Sequence, residues 1–331
     1  MKSARGLVGI STVLLLLLVY SGTAAGQQGK ILEQKLDANG EGYSVLLVWG
    51  THYDMGYAQG NILAEEIIAG VGQVKEYAEK SYLTLRQQMA FAVWQPTEVA
   101  QELDGMLAGI KAAIPSADLD VIDLKVINTF GDWRYACRSH SAWDSFVTNP
   151  TKTLSTRRLD FGAPIKMVHH HLLVARKPSD DSVRWINLAW PGYVASITGV
   201  NEFGTLASLH DYQTQAYPGP YLPRSLLPRL ALTMVKGLSP DKHLDAVYQG
   251  LQNYNIATGT FLTYYVPEGY GGVITCTGAS KCFKKRLPQN DYFNGQVLIT
   301  TNSETSGHTV PEDGEFMDNY YKAGGTKTIV D

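Results

Sequence analysis

Residues 137–143 read CRSHSAW and residues 154–161 read LSTRRLDF, and these two stretches decide the fold that we expect. Turn-forming residues lie between them, so the segment is predicted to form a β-hairpin. The hairpin would bring the thiol of Cys137 beside Arg157 and Asp160. A neighbouring cation lowers the pKa of a thiol, and the thiolate is the reactive form. The pattern therefore predicts a nucleophilic cysteine at the start of a strand.

The cysteines of the chain divide into a pair and a single thiol. Three cysteines occur in 331 residues, and Cys276 and Cys282 flank a short turn. In an oxidising compartment these two are natural disulfide partners. Three interpretations fit the remaining Cys137: a buried bystander, an intermolecular bridge or a nucleophile. The arginine and aspartate nearby in the predicted hairpin favour the nucleophile.

Residues 1–26 are predicted to be a secretory signal peptide. Lys2 and Arg5 give a positive start, and small residues follow a mostly apolar stretch over residues 7–20. That stretch of about 14 residues is shorter than the ~20 that span a bilayer, so a cleaved leader is preferred to a membrane anchor. We expect a mature chain without a membrane-spanning segment, located in the periplasm, outside the cell or in a lysosome-like lumen.

The composition is that of an ordinary globular protein. Hydrophobic residues make up 44%, charged residues make up 18%, and the formal net charge is −3. This provides enough apolar surface for a sizeable core. No basic patch stands out, so nucleic-acid binding is not expected. Alternation suggests strands over residues 30–48, and a helical pattern follows over about residues 54–80. The segment before residue 137 is otherwise mainly helical; strands follow it, one of them from Met167 to Ala175, and then helices and further strands. This order predicts an α+β layered domain.

The motifs, taken in order, resemble those of the cysteine N-terminal-nucleophile hydrolases, a group that includes penicillin acyltransferase, acid ceramidase and choloylglycine hydrolase. Their pattern of Cys, strand, turn and strand ends in Arg-Asn-x-Asp-Trp/Phe, which stands here as RRLDF at residues 157–161. Residues 50–60 (GTHYDMGYAQG) resemble the pro-segment motif of the penicillin acyltransferase-like branch. Residues 198–204 resemble its Gly-x-Asn-Glu-x-Gly turn, and residues 298–302 resemble the segment that supplies an oxyanion asparagine.

This resemblance implies a four-layer αββα sandwich that is made as a proenzyme. Residues 27–136 would form a helical pro-segment, the alpha chain, and residues 137–331 the catalytic part, the beta chain. Self-cleavage of the Ala136–Cys137 bond would separate them, and the two chains would stay together. The new α-amine of Cys137 would titrate near ~8 and could act as the base for its own thiol.

The resemblance also assigns roles to four catalytic residues by position. Cys137 is the nucleophile, Arg157 tunes its sulfur and contacts the substrate carbonyl, and Asp160 orients the α-amine. Asn302 is the side-chain donor to the oxyanion.

Four further residues are assigned to the substrate and oxyanion region: Trp190, Asn201, His210 and Asp211. A backbone N–H near His210 and Asp211 is expected to be the second oxyanion donor. No cofactor is implied. A metal site at His169-His170-His171 is not expected, because consecutive side chains of a strand alternate faces and no further ligand lies at a suitable spacing.

The function implied is that of a secreted amidohydrolase or acyltransferase, which cleaves a small-molecule N-acyl amide through an acyl-thioester. Two departures from the group pattern keep alternatives open. Arg138 stands where the group has Ser or Thr, and Arg158 stands where Asn is common. The alternatives are a catalytically impaired member that acts as a binding protein, and a lipase-like esterase that uses the same thiol.

Overall fold

A computed structural model describes residues 28–129, 132, 136–143, 153–160, 165–212, 217–278, 281–286 and 297–300. The chain divides into two compact units. The first unit contains the segments up to Ala90, Trp94–Asn128 and Ile165–Phe203, and the second contains Phe91–Val93, Thr129–Pro164 and the chain from Gly204. Segments from both sides of Cys137 therefore contribute to each unit. The division into residues 27–136 and 137–331 follows the expected cleavage and stays a prediction.

Strands and helices both occur throughout the described residues, which confirms a mixed α and β fold. The strands are β1 (Gly29–Leu36), β2 (Gly42–Gly50), β3 (Ala136–Ala142), β4 (Leu154–Asp160), β5 (His170–Pro178), β6 (Trp185–Ala189), β7 (Thr198–Asn201), β8 (Leu206–Asp211), β9 (Thr260–Tyr265), β10 (Gly271–Thr277), β11 (Lys281–Arg286) and β12 (Val297–Thr300). The helices are α1 (His52–Ile62), α2 (Ala64–Ala78), α3 (Ser81–Phe91), α4 (Thr97–Ala113), α5 (Val121–Asn128), α6 (Leu227–Thr233) and α7 (Pro240–Leu251).

The first unit is built on strands from both sides of Cys137. β1 and β2 form an antiparallel hairpin, and β2 then pairs in parallel with β5. That parallel ladder runs from Gly42 opposite His170 to Gly50 opposite Pro178. β5 pairs with β6, and β6 with β7, in antiparallel fashion. Backbone pairing therefore joins a segment that precedes Cys137 to segments that follow it.

Helix α1 lies so close to α4 that only glycine fits at their contact. A Cβ at Gly60 would lie 2.1 Å from the carbonyl oxygen of Met106, and a Cβ at Gly105 would lie 2.0 Å from that of Tyr53. Real Cβ atoms do not approach an oxygen so closely, so a side chain at either position would push the helices apart. The glycines of residues 50–60 thus serve a helix crossing in the first unit.

The second unit contains two groups of paired strands. β8, β9, β10 and β11 follow one another in antiparallel order, and a separate three-stranded sheet has the order β12, β3, β4. Cys276 and Cys282 lie opposite each other on β10 and β11 and form a disulfide, which confirms the predicted pairing. Trp143, at the end of β3, packs in a buried cluster with Phe261 and Tyr265 of β9. The sheet that carries Cys137 is thereby packed on β9.

Two local predictions are corrected. The single helix expected over residues 54–80 is two helices, because fully buried Leu63 leaves the helical region with φ −114° and ψ 28°. The strand expected from Met167 begins at His170, since Lys166–His169 forms a 3₁₀ helix. The strands predicted over residues 30–48 are confirmed as β1 and β2, so the segment before Cys137 is helical only from α1 onward. The four-layer arrangement itself stays a prediction.

Within the described part of the chain, no helix combines the length and the apolar character that crossing a membrane requires.

Candidate active site

Cys137 is buried in the central strand of the three-stranded sheet. It is the second residue of β3 and only 1% exposed. β3 pairs with β12 on one side and β4 on the other. Among the three cysteines, it is the one outside the disulfide. Cys137 itself lies opposite Leu159 of β4, and the ladder with β12 covers Ser139–Ala142, so pairing with β4 positions the backbone that carries the thiol.

Arg157 lies against the Cys137 sulfur, as the hairpin predicted. The β3–β4 register places Leu159 opposite Cys137 and Arg157 opposite Ser139. The Nη2 atom of Arg157 lies 3.1 Å from the Cys137 Sγ and donates to the carbonyl oxygen of Leu209 at 2.7 Å. The carbonyl of β8 therefore fixes the direction of the guanidinium towards the thiol.

One edge of β8 completes the surroundings of the thiol. The Tyr212 N–H donates to the carbonyl oxygen of Gly259 at 3.3 Å, so the backbone N–H and C=O groups of the even-numbered residues face β9. In an antiparallel ladder the odd-numbered residues then present their N–H and C=O groups to the opposite edge. Leu209 and Asp211 are those residues: the first supplies the carbonyl that holds Arg157, and the backbone of the second hydrogen bonds to the Cys137 thiol.

Opposing effects set the protonation state of the thiol. Burial raises the pKa of Cys137 above its ordinary value, and this effect is larger than the lowering by the positive charge of Arg157. The backbone hydrogen bond from Asp211 and the more distant Arg224 also lower the pKa, and the carboxylate of Asp211 raises it. The thiol is therefore neutral at pH 7, and a base must remove its proton before it can act as a strong nucleophile.

His210 is fully buried next to this edge. Its Nε2 lies 3.3 Å from Ser208 Oγ and 3.5 Å from Thr263 Oγ1. Its carbonyl oxygen accepts a hydrogen bond from Thr260 Oγ1 at 2.7 Å. The imidazole of His210 is therefore surrounded by hydroxyl groups in a buried polar region.

Asp211 is held by a buried arginine that the sequence did not reveal. Its carboxylate pairs with the Nη1 atom of Arg224, a fully buried residue at the start of the 3₁₀ helix Arg224–Leu226. The same Nη1 donates to the carbonyl oxygen of Gly259 at 2.7 Å. The arginine therefore fixes the residue whose backbone contacts the thiol.

Trp190 and Asn201 lie in the first unit, in contacts of their own. The Trp190 Nε1 donates to Val168 O at 3.2 Å, and its ring meets that of Tyr193 edge to face at 5.4 Å. The Asn201 Oδ1 accepts from the Phe203 N–H at 3.1 Å and closes the turn after β7. Trp190 thus packs in a buried core, and the side chain of Asn201 stabilises a turn.

Of the last two predicted catalytic residues, Asp160 is located by its strand register and Asn302 is not described. The backbone of Asp160 pairs with Ala136, the residue on the N-terminal side of the expected cleavage. β12 ends at Thr300, opposite Ser139, and Asn302 lies outside the described residues.

Sequence reasoning also missed Ser139. It is two residues from Cys137 on β3 and 1% exposed, and it lies opposite Arg157. Alternation along a strand places residues two apart on the same face, so this signal was present in the sequence. Among the described residues, no hydrogen-bond partner is found for its hydroxyl.

Comparisons with known proteins give little. No family model matches the chain, and no curated protein matches it. A solved structure that matches is that of penicillin V acylase from Agrobacterium tumefaciens, with 14% sequence identity and a TM-score of 0.29. The match covers 59% of this chain and 52% of that chain, so it spans about half of that structure. A likeness of this size establishes neither a common fold nor a common activity, and the geometry around Cys137 has to support the functional proposal.

Proposed function

We propose that this chain is an amide hydrolase that cleaves itself before Cys137 and then uses the Cys137 thiol on a non-peptide N-acyl amide. The observation that carries the proposal is the contact of the buried sulfur with both the Arg157 guanidinium and the Asp211 backbone. A buried bystander thiol has no need of either contact. The two contacts provide a positive charge and a hydrogen-bond donor, as charge development at a reacting centre requires.

Self-cleavage is the first step of the proposal. The Cys137 sulfur attacks the carbonyl carbon of Ala136, the C–N bond breaks, and the nitrogen takes up the thiol proton as it becomes the α-amine. Water then hydrolyses the thioester, which leaves a carboxylate on Ala136 and restores the thiol. The pairing of Ala136 with Asp160 supports this step, because it holds the scissile bond inside the β3–β4 ladder.

Turnover uses the groups that cleavage releases. The α-amine of Cys137 removes the proton of its own thiol, a step that is needed because burial raises the pKa of that thiol. The thiolate attacks the substrate carbonyl, and the oxyanion is stabilised by the Asp211 N–H and by Asn302. The amine leaves with a proton, and water or an acceptor amine resolves the acyl-thioester.

The two chains would remain associated after cleavage. β2, which precedes Cys137, pairs with β5, which follows it, over the whole of both strands. Gln59 of helix α1 also precedes the cleavage site, and its Oε1 accepts a hydrogen bond from Nη2 of Arg176, on β5 after that site, at 3.2 Å. We also propose that the leader directs the protein to a secretory compartment, where the Cys276–Cys282 disulfide would be stable.

The function is tested by incubating purified protein with a panel of N-acyl amides and the matching esters. We expect amine release by the wild type and none by Cys137→Ala, together with an acyl adduct on the fragment that begins at Cys137. A matched control is Ser141→Ala, a buried residue of the same strand whose hydroxyl hydrogen bonds to Ser155. Amide hydrolysis by Cys137→Ala at the wild-type rate contradicts the proposal. Ester cleavage alone identifies the esterase, and binding without turnover identifies the impaired family member.

A further inference from the structure

Arg224 joins three parts of the second unit through one buried guanidinium. Its Nη1 atom pairs with Asp211 and donates to the Gly259 carbonyl, while its Nε atom lies 3.6 Å from Asp132 Oδ1. Asp211 is the residue whose backbone contacts the Cys137 sulfur. Asp132 lies on the other side of the expected cleavage, in the segment that precedes Cys137. One side chain therefore contacts residues from both sides of the scissile bond.

Asp132 is held through one of its two carboxylate oxygens. Its side chain is only 9% exposed, and its Oδ1 accepts the Ser225 N–H at 3.2 Å in addition to facing Arg224. Its Oδ2 is buried and has no hydrogen-bond partner within the part of the chain that the structure describes. Four residues further on, Ala136 is held by its pairing with Asp160. Asp132 and Ala136, both before the scissile bond, are thus each held by contacts of their own.

We propose that Asp132 and Arg224 are positioning residues for self-cleavage: their ion pair holds the chain before the scissile bond, while the pair of Arg224 with Asp211 holds the donor at the Cys137 sulfur. This inference rests on the proposed function and assigns to it two residues outside the predicted set. Neither residue reacts. Together they fix the Ala136 carbonyl against the sulfur, and positioning of this kind governs the rate of an intramolecular attack.

The charge of Asp132 makes the positioning depend on pH. Burial raises the pKa of Asp132 to about 7, and Arg224 and the Ser225 backbone only partly oppose this. The other charged or titratable groups that act on it are Asp211, which raises its pKa further, and the half-buried Tyr221. Asp132 is therefore protonated below pH 7, where its ion pair with Arg224 is lost, and ionised above pH 7, where the pair forms. A role in capping the 3₁₀ helix alone would not change the cleavage rate in this way.

The experiment follows cleavage of the full chain, which is isolated in denaturant and refolded by dilution at about pH 5.5 and about pH 8.5, on either side of that pKa. Intact mass gives the rate, and circular dichroism gives the folded fraction by which each rate is divided. The ratio of the wild-type rate to that of Asp132→Asn cancels the ionisation of Cys137, which both chains share. We expect the ratio to rise from about one to about tenfold between the two pH values.

Three variants sharpen the result. Asp132→Glu keeps the charge and is expected to keep the rise with pH. Arg224→Lys has one ammonium group in place of a planar fork, so it is expected to be slow at both pH values. The control is Asp123→Asn, because Asp123 is a buried aspartate that pairs with Arg86 in the first unit. Its ratio to the wild type is expected to stay the same at both pH values.

A ratio for Asp132→Asn that is equal at the two pH values overturns the inference, because the charge would then play no part. Loss of the rise in a folded Asp132→Glu chain overturns it as well. A wild-type chain that folds and stays uncut at both pH values contradicts the proposed function instead. Cleavage of the wild type together with a constant ratio leaves the proposed function standing and removes only the inference.

Discussion

Each unit contains an arginine in contact with polar partners, yet the two arginines do different things. In the first unit, Arg176 is fully buried, with its Nη1 3.7 Å from Glu102 Oε2 and its Nη2 3.2 Å from Gln59 Oε1. The Nδ1 atom of His52 lies 3.0 Å from the other oxygen of Glu102. These four residues, the Glu102 cluster, join helices α1 and α4 to strand β5. Besides one another, these residues contact the carbonyl oxygen of Tyr193, the ring of Trp185 and the carboxylate of Asp180, and they hold elements in place.

In the second unit, Arg157 faces a thiol. Its other contact, the Leu209 carbonyl, directs it there, and the Asp211 backbone approaches the same sulfur. A sequence motif therefore does not itself distinguish a structural residue from a catalytic one. The GTHYDMGYAQG stretch supplies His52 and Gln59 to a structural cluster, whereas the hairpin after residue 136 supplies a nucleophile and its cation. The distinction is whether the arginine meets only acceptors or also a group that can react.

The largest expected effect is on the reaction and not on stability. Arg157→Met removes the cation beside the sulfur, so self-cleavage and turnover should fall by about 10²–10³-fold, as on loss of one oxyanion donor. Rates per folded molecule are measured by intact mass and amine release. The control is Arg184→Met, which removes an arginine of the first unit that pairs with Glu202. Equal rates in Arg157→Met and the wild type would show that Arg157, like Arg176, has a structural role only.

The second effect is on stability and not on the reaction. Glu102→Gln removes the charge that faces buried Arg176, and breaking a buried ion pair in this way costs about 3–5 kcal/mol. Urea unfolding measures the loss. Glu202→Gln, in the more exposed pair with Arg184, is the control and should cost at most about 1 kcal/mol. A Glu102→Gln chain as stable as this control would show that the cluster does not support the first unit.

The third effect concerns the helix crossing. Gly60→Ala places a Cβ 2.1 Å from a backbone oxygen, so α1 and α4 must separate, and overpacking of this kind costs about 1–3 kcal/mol. Gly72→Ala is the matched control, because no atom lies within 4 Å of its Cβ. Alanine there is expected to stabilise helix α2 by about 1 kcal/mol. The midpoint temperatures of thermal unfolding of the two variants should shift in opposite directions from the wild type. Shifts of the same sign would contradict the close contact between α1 and α4.

The last effect is the dependence of stability on pH through Asp132. Its pKa is raised to about 7 in the folded chain, so the folded state retains a proton there that the unfolded state loses at lower pH. The stabilisation from this group is present below its unfolded pKa and is lost as pH rises to 7. Relative to Asp132→Asn, the wild type should therefore lose stability between about pH 4 and pH 7. A stability difference that does not vary over this range would contradict the raised pKa.

The sequence predicted what depends on local pattern. Alternation in the hairpin placed Arg157 near Cys137, and the six-residue separation of Cys276 and Cys282 predicted their disulfide. Contacts between distant segments left no such signal. Arg224 meets Asp211 and Asp132 only because β8, a 3₁₀ helix and the chain before β3 come together in the fold.

For the same reason, the substrate and oxyanion roles of Asn201 and Trp190 stay predictions. Asn201 has the sequence context of a functional turn, but its side chain is engaged by the Phe203 backbone. Trp190 lies beside a glycine turn, and its indole is satisfied by Val168 in the core. The motifs around these two residues predict that each side chain has a specific role, but they do not show whether that role is packing or substrate binding.

The most direct test of the central claim is the mass of the purified chain under denaturing conditions, before and after folding. The account predicts two fragments for the wild type, the second beginning at Cys137, that travel as one particle before denaturation. It predicts a single uncut chain for Cys137→Ala. An uncut wild-type chain that is folded, or a Cys137→Ala chain cut at the same bond, would contradict the assignment of Cys137 as the residue that cleaves the chain.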